Sequence, residues 1–204
     1  MLVCLLVAAA GLLLPGRTSA APASCAALQT LPLGPGDVPQ GYIPSHLGSI
    51  GMANFARQQH VPISLLRGAG YLGAYDAYFV RSSTQGISAL DNTIAAFKTA
   101  DGARRGYESW AGSMRSAIVQ IGHGKAGSFA PSGLGDQVAG SASQMKVGKN
   151  GSLAADLLIF RRGAYVSSLI AISRVHMNRN SLVGLARFID RRLQAAKAKG
   201  CPRS

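Results

Sequence analysis

Three strand-like segments joined by very short connections constrain the fold more than any other feature of the sequence. They span residues 136–147, 153–161 and 164–174. Asn150-Gly151 lies between the first two segments, and Arg162-Gly163 lies between the second and the third. Asn-Gly is a strong hairpin signal because both residues tolerate positive φ. Since such short turns join antiparallel neighbours, the three segments are predicted to form an antiparallel sheet.

Two further strands precede these three, and a helix separates the two groups. Residues 70–83 alternate between two faces in the manner of a strand, and residues 86–99 are predicted to pair with them. The helix starts at Thr99 or Asp101, and its apolar residues recur at helical spacing. Trp110 belongs to this apolar stripe and is predicted to anchor the core.

The remaining segments complete the predicted domain. The last helix begins near Asn180 or Ser181 and ends at Gly200. Residues 47–59 contain a short helix candidate, and residues 122–135 are predicted to form a glycine-rich loop. The order β-β-α-β-β-β-α predicts an α+β sandwich, with an antiparallel sheet of about five strands covered by two main helices.

Five short motifs resemble a family of small, secreted, mostly uncharacterised bacterial proteins. In sequence order they are GDVPQGY, YDAYF, IAAFKTADGA, GLGDQ and LIFRRGAYV, within residues 34–195. That family is in turn similar to the PsbP-like and LpqN-like α+β sandwich group. The resemblance implies an extracytoplasmic, non-enzymatic domain that binds or assists another molecule. It carries over no catalytic residue.

The N-terminus has the layout of a secretory signal peptide. Leu2–Leu14 is an uncharged apolar run, and the small residues after it allow cleavage after Ala20 or Ala23. The run is shorter than the roughly 20 residues that cross a membrane, so a secreted chain without a transmembrane segment is predicted. No Lys or Arg precedes the run, which is atypical of a signal peptide. An uncleaved, membrane-associated N-terminus is one weaker alternative.

The predicted boundaries follow from this cleavage. They are 1–23 for the signal peptide, 24–40 for an extended N-terminal arm, 41–200 for the single domain and 201–204 for a tail. Cleavage removes Cys4 and leaves Cys25 and Cys201 near the two ends of the mature chain. An even pair of cysteines in an oxidising compartment predicts a disulfide. A lipid anchor on Cys25 is disfavoured, because Pro22 stands where a bacterial lipobox has Leu.

The charge balance indicates the class of partner. Once Arg17 leaves with the signal peptide, 20 basic side chains face eight acidic ones. Residues 161–204 hold ten of the basic residues, with Asp190 as the only counter-charge. Such a charge attracts anionic partners, so an anionic envelope polymer or surface is the predicted partner, with a partner protein as the alternative. A solvated basic face without a ligand is the simpler interpretation of the same charge. Nucleic acid is disfavoured, because aromatic residues are not interleaved with the basic ones and no binding motif is present.

The sequence matches no metal or phosphate-loop motif. No histidine lies at ligand spacing from another His, Cys or acid; the histidines are His46, His60, His123 and His176. The segment GHGKAGS fails as a Walker loop because Val119 and Ala126 stand where Gly and Ser/Thr are required. A bare anion nest with His123 and Lys125 remains as a weaker alternative. We therefore predict neither a metal nor a cofactor.

An extracellular hydrolase is the remaining alternative. No G-x-S-x-G elbow occurs, and carboxylate catalysis would need two of only eight acids to face each other. Asp136, in GLGDQ, is the acid of most interest, although its ordinary role is to hydrogen-bond a turn. The hydrolase hypothesis predicts a pocket in which Asp136 or His123 meets a second polar group. The sequence favours a binding or accessory protein over an enzyme.

Two pairs of arginines are candidates for an anion site. Arg104 and Arg105 lie on the first helix, and Arg161 and Arg162 lie at a hairpin tip. If they converge, with Lys125 as a fifth candidate, they could hold a phosphate or carboxylate by bidentate donation. Solvated charges with no ligand are the simpler interpretation.

Overall fold

The computed structural model describes residues 28–83, 86–121, 126–147, 151–174 and 176–199. Within these ranges the chain forms seven strands and four α-helices, after a 3-10 turn at Leu28–Thr30. The strands are β1 (Ile43–Ile50), β2 (Tyr71–Ser83), β3 (Gly86–Phe97), β4 (Ala126–Phe129), β5 (Gln137–Val147), β6 (Gly151–Arg162) and β7 (Tyr165–Ser173). The helices are α1 (Met52–Gln58), α2 (Ile63–Gly68), α3 (Ala100–Ile121) and α4 (Arg179–Lys199).

All described strands belong to one antiparallel sheet, in the order β1-β2-β3-β7-β6-β5-β4. The β2–β3 hairpin and the β5–β6–β7 meander form as the turn chemistry predicts. β3 and β7 join these two groups at the centre of the sheet, where Ala96 pairs with Tyr165 and Ala89 pairs with Ile172. No helix within the described ranges is long and apolar enough to cross a bilayer.

Helices cover both faces of the sheet. On one face α1, α2 and α3 enclose an aromatic group in which the ring of Phe55 lies 5.2 Å from Tyr71 and 4.9 Å from Trp110. Trp110 is buried, as its place in the apolar stripe predicts. On the other face α4 packs Leu182 and Ile189 on the sheet. Because both faces are covered, seven consecutive residues of β6 are buried, which hides the alternation that a half-exposed strand shows.

The prediction of about five strands and two main helices is wrong in number, although the domain is α+β. Residues 47–50 fall in the predicted helix 47–59 but belong to the edge strand β1. The helix α1 begins only at Met52. β1 contains a proline and a glycine and is mostly exposed, so its own residues favour a strand only weakly. Pairing with β2 is what stabilises it.

The second missed strand, β4, lies inside the predicted loop 122–135. It contains four residues and forms by pairing with β5, where Phe129 lies opposite Gly140. A Cβ at Gly140 would lie 2.6 Å from the Phe129 ring. The glycine therefore makes room for the aromatic side chain, which a single-sequence reading of a glycine-rich segment does not show.

The segment that leads into the domain packs on the α4 face. Leu28, Leu31 and Leu33 are buried there, and the Leu33 amide donates to Asn92 Oδ1 at 3.0 Å. Residues 1–27 and 200–204 lie outside the described residues. The signal peptide and the Cys25–Cys201 disulfide therefore stay predictions.

Candidate functional site

Asp136 and the hairpin-tip arginines form one ion-pair network. Arg161 and Arg162 each place a guanidinium nitrogen 3.0 Å from Asp136, and the Gly163 amide donates to the same carboxylate at 2.8 Å. Asp136 therefore bonds the turn, its ordinary role in a loop. The preceding Gly135 has a φ of 63°, and a Cβ there would lie 2.7 Å from the Arg161 carbonyl oxygen. Glycine is required at this close approach.

Arg162 also connects this hairpin to α4. Its Nε and Nη2 donate to the two oxygens of Asp190 at 2.7 and 2.6 Å. These hydrogen bonds raise the pKa of the Arg162 guanidinium above its usual range. Two carboxylates thus occupy the donors with which Arg161 and Arg162 were expected to bind an external anion. Anion binding by this pair stays a prediction.

The other predicted arginines have partners on their own helix. Arg104 lies 2.8 Å from Asp101 and 2.9 Å from Glu108, and the hydrogen bond from Arg104 lowers the pKa of Asp101. Arg105 lies 3.7 Å from Asp101 and also donates to the Gly68 carbonyl oxygen of α2 at 3.1 Å. The two arginine pairs therefore have separate acidic partners. Lys125, the fifth candidate, lies outside the described residues.

The exposed side of α4 carries arginines of a different kind. We call Arg179, Arg187 and Arg191, which are all exposed, the arginine face of α4. Asp190, the one acidic residue of this helix, is buried and turned toward Arg162. Arg179 stacks on Phe129 with its guanidinium 4.6 Å from the ring centre. The arginine face therefore presents positive charge without a neighbouring carboxylate from its own helix.

Two carboxylates face each other on the sheet, as carboxylate catalysis would require. Thr93 Oγ1 donates to Asp76 Oδ1 at 2.8 Å and lies 3.4 Å from Asp91 Oδ1. Burial, followed by the charge of Asp76, raises the pKa of Asp91 well above its usual range. A second carboxylate nearby disfavours the ionised form of the first. Among the described residues, no group of three or more His, Cys, Asp or Glu side chains could hold a metal ion.

The hairpin register could have revealed this pair. Asp76 lies opposite Thr93, and Tyr78 lies opposite Asp91, so the two acids are diagonal neighbours across β2 and β3. Counting back from the predicted turn near residues 84–85 would have aligned them. The remaining six acids have an arginine or histidine partner; they are Asp37, Asp101, Glu108, Asp136, Asp156 and Asp190.

A histidine that the sequence left isolated has a buried acidic partner. His176 Nδ1 lies 2.7 Å from Asp156 Oδ1, and the Met177 amide donates to Asp156 Oδ2 at 2.8 Å. Asp156 lies within β6, while His176 follows β7 and precedes α4. Sequence spacing gives no sign of this contact because the sheet brings the two residues together. His123, the other histidine of interest, lies outside the described residues.

Comparisons with known proteins identify a shared fold. No family model matches the chain, and no curated protein matches it significantly. The crystal structure of the extracellular domain of PknH from Mycobacterium tuberculosis is similar, with a TM-score of 0.52 and 13% sequence identity. The match covers 83% of this chain and 95% of the PknH domain. At this identity the likeness shows the fold alone.

Proposed function

We propose that the chain is an extracytoplasmic, non-enzymatic binding domain whose arginine face on α4 associates with an anionic envelope polymer or surface. The observation that carries this proposal is the contrast within α4. Arg179, Arg187 and Arg191 are exposed, whereas the single acid of the helix is buried in an internal ion pair. The signal-peptide layout and the fold shared with an extracellular domain support the location.

Electrostatic attraction is the physical basis of this association. An exposed guanidinium gains little from one anion in water, but several arginines along a polymer or a membrane add their contributions. Arg187 and Arg191 are four residues apart on one helix and therefore lie on one side of it. Salt screens exposed charges over about 10 Å at 0.1 M. Retention should consequently fall steeply as ionic strength rises.

The test compares two double variants with the same loss of charge. Arg187→Gln/Arg191→Gln alters the arginine face, and Arg67→Gln/Arg115→Gln alters two exposed arginines of α2 and α3. Binding of the mature protein to phosphatidylglycerol vesicles and to soluble polyphosphate is measured at low and high salt. We expect the first variant to bind roughly tenfold more weakly, which corresponds to about 1.4 kcal/mol, and the control to bind almost as well as the native protein. Equal losses in both variants, or retention that is independent of salt, would contradict the proposal.

A partner protein is the second candidate, and the edge strand β1 favours it. Ile43 and Leu47 are 62% and 42% exposed and belong to the few large apolar side chains that are exposed in the described part of the chain. An edge strand can accept a further strand from another protein through its free backbone groups. This candidate predicts that Leu47→Asp abolishes co-purification of a protein from the native culture, whereas Arg187→Gln/Arg191→Gln does not. The opposite pattern favours the arginine face.

A further inference from the structure

An open cavity of about 510 Å³ lies where β4 begins, at one edge of the sheet. Backbone and small side chains of β4 and β5 form most of its wall; the lining residues are Ala126, Gly127, Ala142, Ser143, Gln144 and His176. Ser143 has a buried hydroxyl that lacks a hydrogen-bond partner among the described residues. His176 is the lining residue that can carry a charge.

A buried carboxylate, Asp156, fixes the orientation of the His176 ring. The Asp156 side chain is only 8% exposed, and its two oxygens bind the His176 ring and the Met177 amide. Nδ1 of His176 faces Asp156, so Nε2 lies on the opposite edge of a ring that is 44% exposed. In a protonated imidazole both ring nitrogens are donors, so the ring can bond Asp156 through Nδ1–H and a ligand through Nε2–H. The pair can therefore present an N–H group to a ligand.

A second cation lies on the same side of β4. The guanidinium of Arg179 stacks over Phe129, two residues beyond Gly127 on this strand, which corresponds to about 7 Å along the backbone. Asp156 is the acid that contacts His176. The other seven acids of the chain all lie within the described ranges. Each contacts an arginine or belongs to the Asp76–Asp91 pair. Asp156 is therefore the acid that the described contacts place beside a lining residue of the cavity.

We infer that His176, oriented by Asp156, and Arg179 form a binding site for a small oxyanion, with phosphate as the best match to their donors. Nε2–H of His176 and the guanidinium of Arg179 would donate to the phosphate oxygens, as charge-assisted hydrogen bonds do. Asp156 does not touch the ligand and acts as a positioning residue. This site shares Arg179 with the arginine face, and it does not include Arg187 or Arg191.

The histidine ring itself reports on the site. Inorganic phosphate is titrated into the mature protein at constant pH and ionic strength, and the imidazole proton resonances of His176 are followed by NMR. We expect a saturable shift at His176 and a much smaller response at His46, which is exposed on β1. Acetate is titrated in parallel, and a weaker response to it identifies phosphate as the preferred oxyanion. A His176 resonance that does not saturate with phosphate, or that shifts no more than that of His46, overturns the inference.

Substitutions separate binding from folding. Calorimetry with phosphate should show at least a tenfold loss of affinity in His176→Gln and a smaller loss in Arg179→Gln, while the control His46→Gln binds normally. Asp156→Asn keeps the shape of the side chain and should lower the affinity for phosphate. This loss should appear together with a changed His176 resonance in the free protein. Native affinity in His176→Gln overturns the inference. Since Arg187→Gln/Arg191→Gln leaves this cavity intact, it should bind phosphate normally even if it loses polymer binding.

Discussion

The two long helices cover opposite faces of one sheet, but they differ in how their charged side chains are paired. On α3, Arg104 is bonded to Asp101 and Glu108 within the same helix. On α4, the single acid points inward, and the exposed arginines have no acidic partner from that helix. Packing on a sheet requires only an apolar stripe, so the unpaired arginines of α4 are not explained by folding. This difference supports the proposed role of α4 in binding an anionic partner.

The helices also differ in how closely they approach their neighbours. A Cβ added at Gly106 of α3 would collide with the ring of Phe97, whereas a Cβ at Gly184 of α4 would meet nothing within 4 Å. Glycine in a helix interior costs up to about 1 kcal/mol relative to alanine. At Gly106 the missing side chain allows α3 to lie close to Phe97 of β3. At Gly184 no neighbouring residue requires a glycine.

The largest expected effect sharpens this structural contrast. Gly106→Ala should lower the free energy of unfolding by about 2–3 kcal/mol, because the new methyl group forces Phe97 and α3 apart. Gly184→Ala, its matched control, should leave the free energy unchanged or raise it by up to about 1 kcal/mol. Urea denaturation of both variants measures the difference. Similar losses in the two would mean that α3 and α4 pack alike.

The next effect concerns the acids of the two helices. Asp190→Asn removes one of the two carboxylates that pair with the mostly buried Arg162. It should lower the free energy of unfolding by about 2–3 kcal/mol. Glu108→Gln breaks an exposed pair on α3 and should cost only about 0.3–0.5 kcal/mol. Thermal unfolding of both variants checks the order. If Asp190→Asn were as mild as Glu108→Gln, the internal network would not be what holds α4 to the hairpin.

A smaller effect depends on pH and lies on the sheet face shared with α3. The pKa of Asp91 is raised in the folded protein by burial and by Asp76, so folding favours its protonated form. The native state is therefore penalised above the unfolded-state pKa of about 3.9, and the penalty grows as pH rises toward the folded-state pKa. Asp91→Asn should raise the melting temperature at neutral pH and have little effect at pH 3. Destabilisation by Asp91→Asn at neutral pH would show that the charged form is the favoured one.

The sequence was informative wherever structure is local. Turn residues and apolar periodicity predicted the β2–β3 hairpin, the β5–β6–β7 meander and both long helices. The edge strands β1 and β4 escaped because partner strands stabilise them and their own composition does not. The same distinction applies to the sites. The register of one hairpin places Asp76 beside Asp91, whereas His176 meets Asp156 only after β6 and β7 have paired and the chain has turned toward α4.

The central pairing of β3 with β7 has a consequence for how this chain acquires its structure. Each half of the sheet is built from neighbouring segments, and hairpins form within about 1–10 μs. The contact of Ala96 with Tyr165 instead closes a long loop that contains α3 and the strands β4, β5 and β6. Non-local pairings of this kind slow folding. Two partial sheets should therefore assemble first, and the docking of β3 on β7 should be the step that limits the rate of folding.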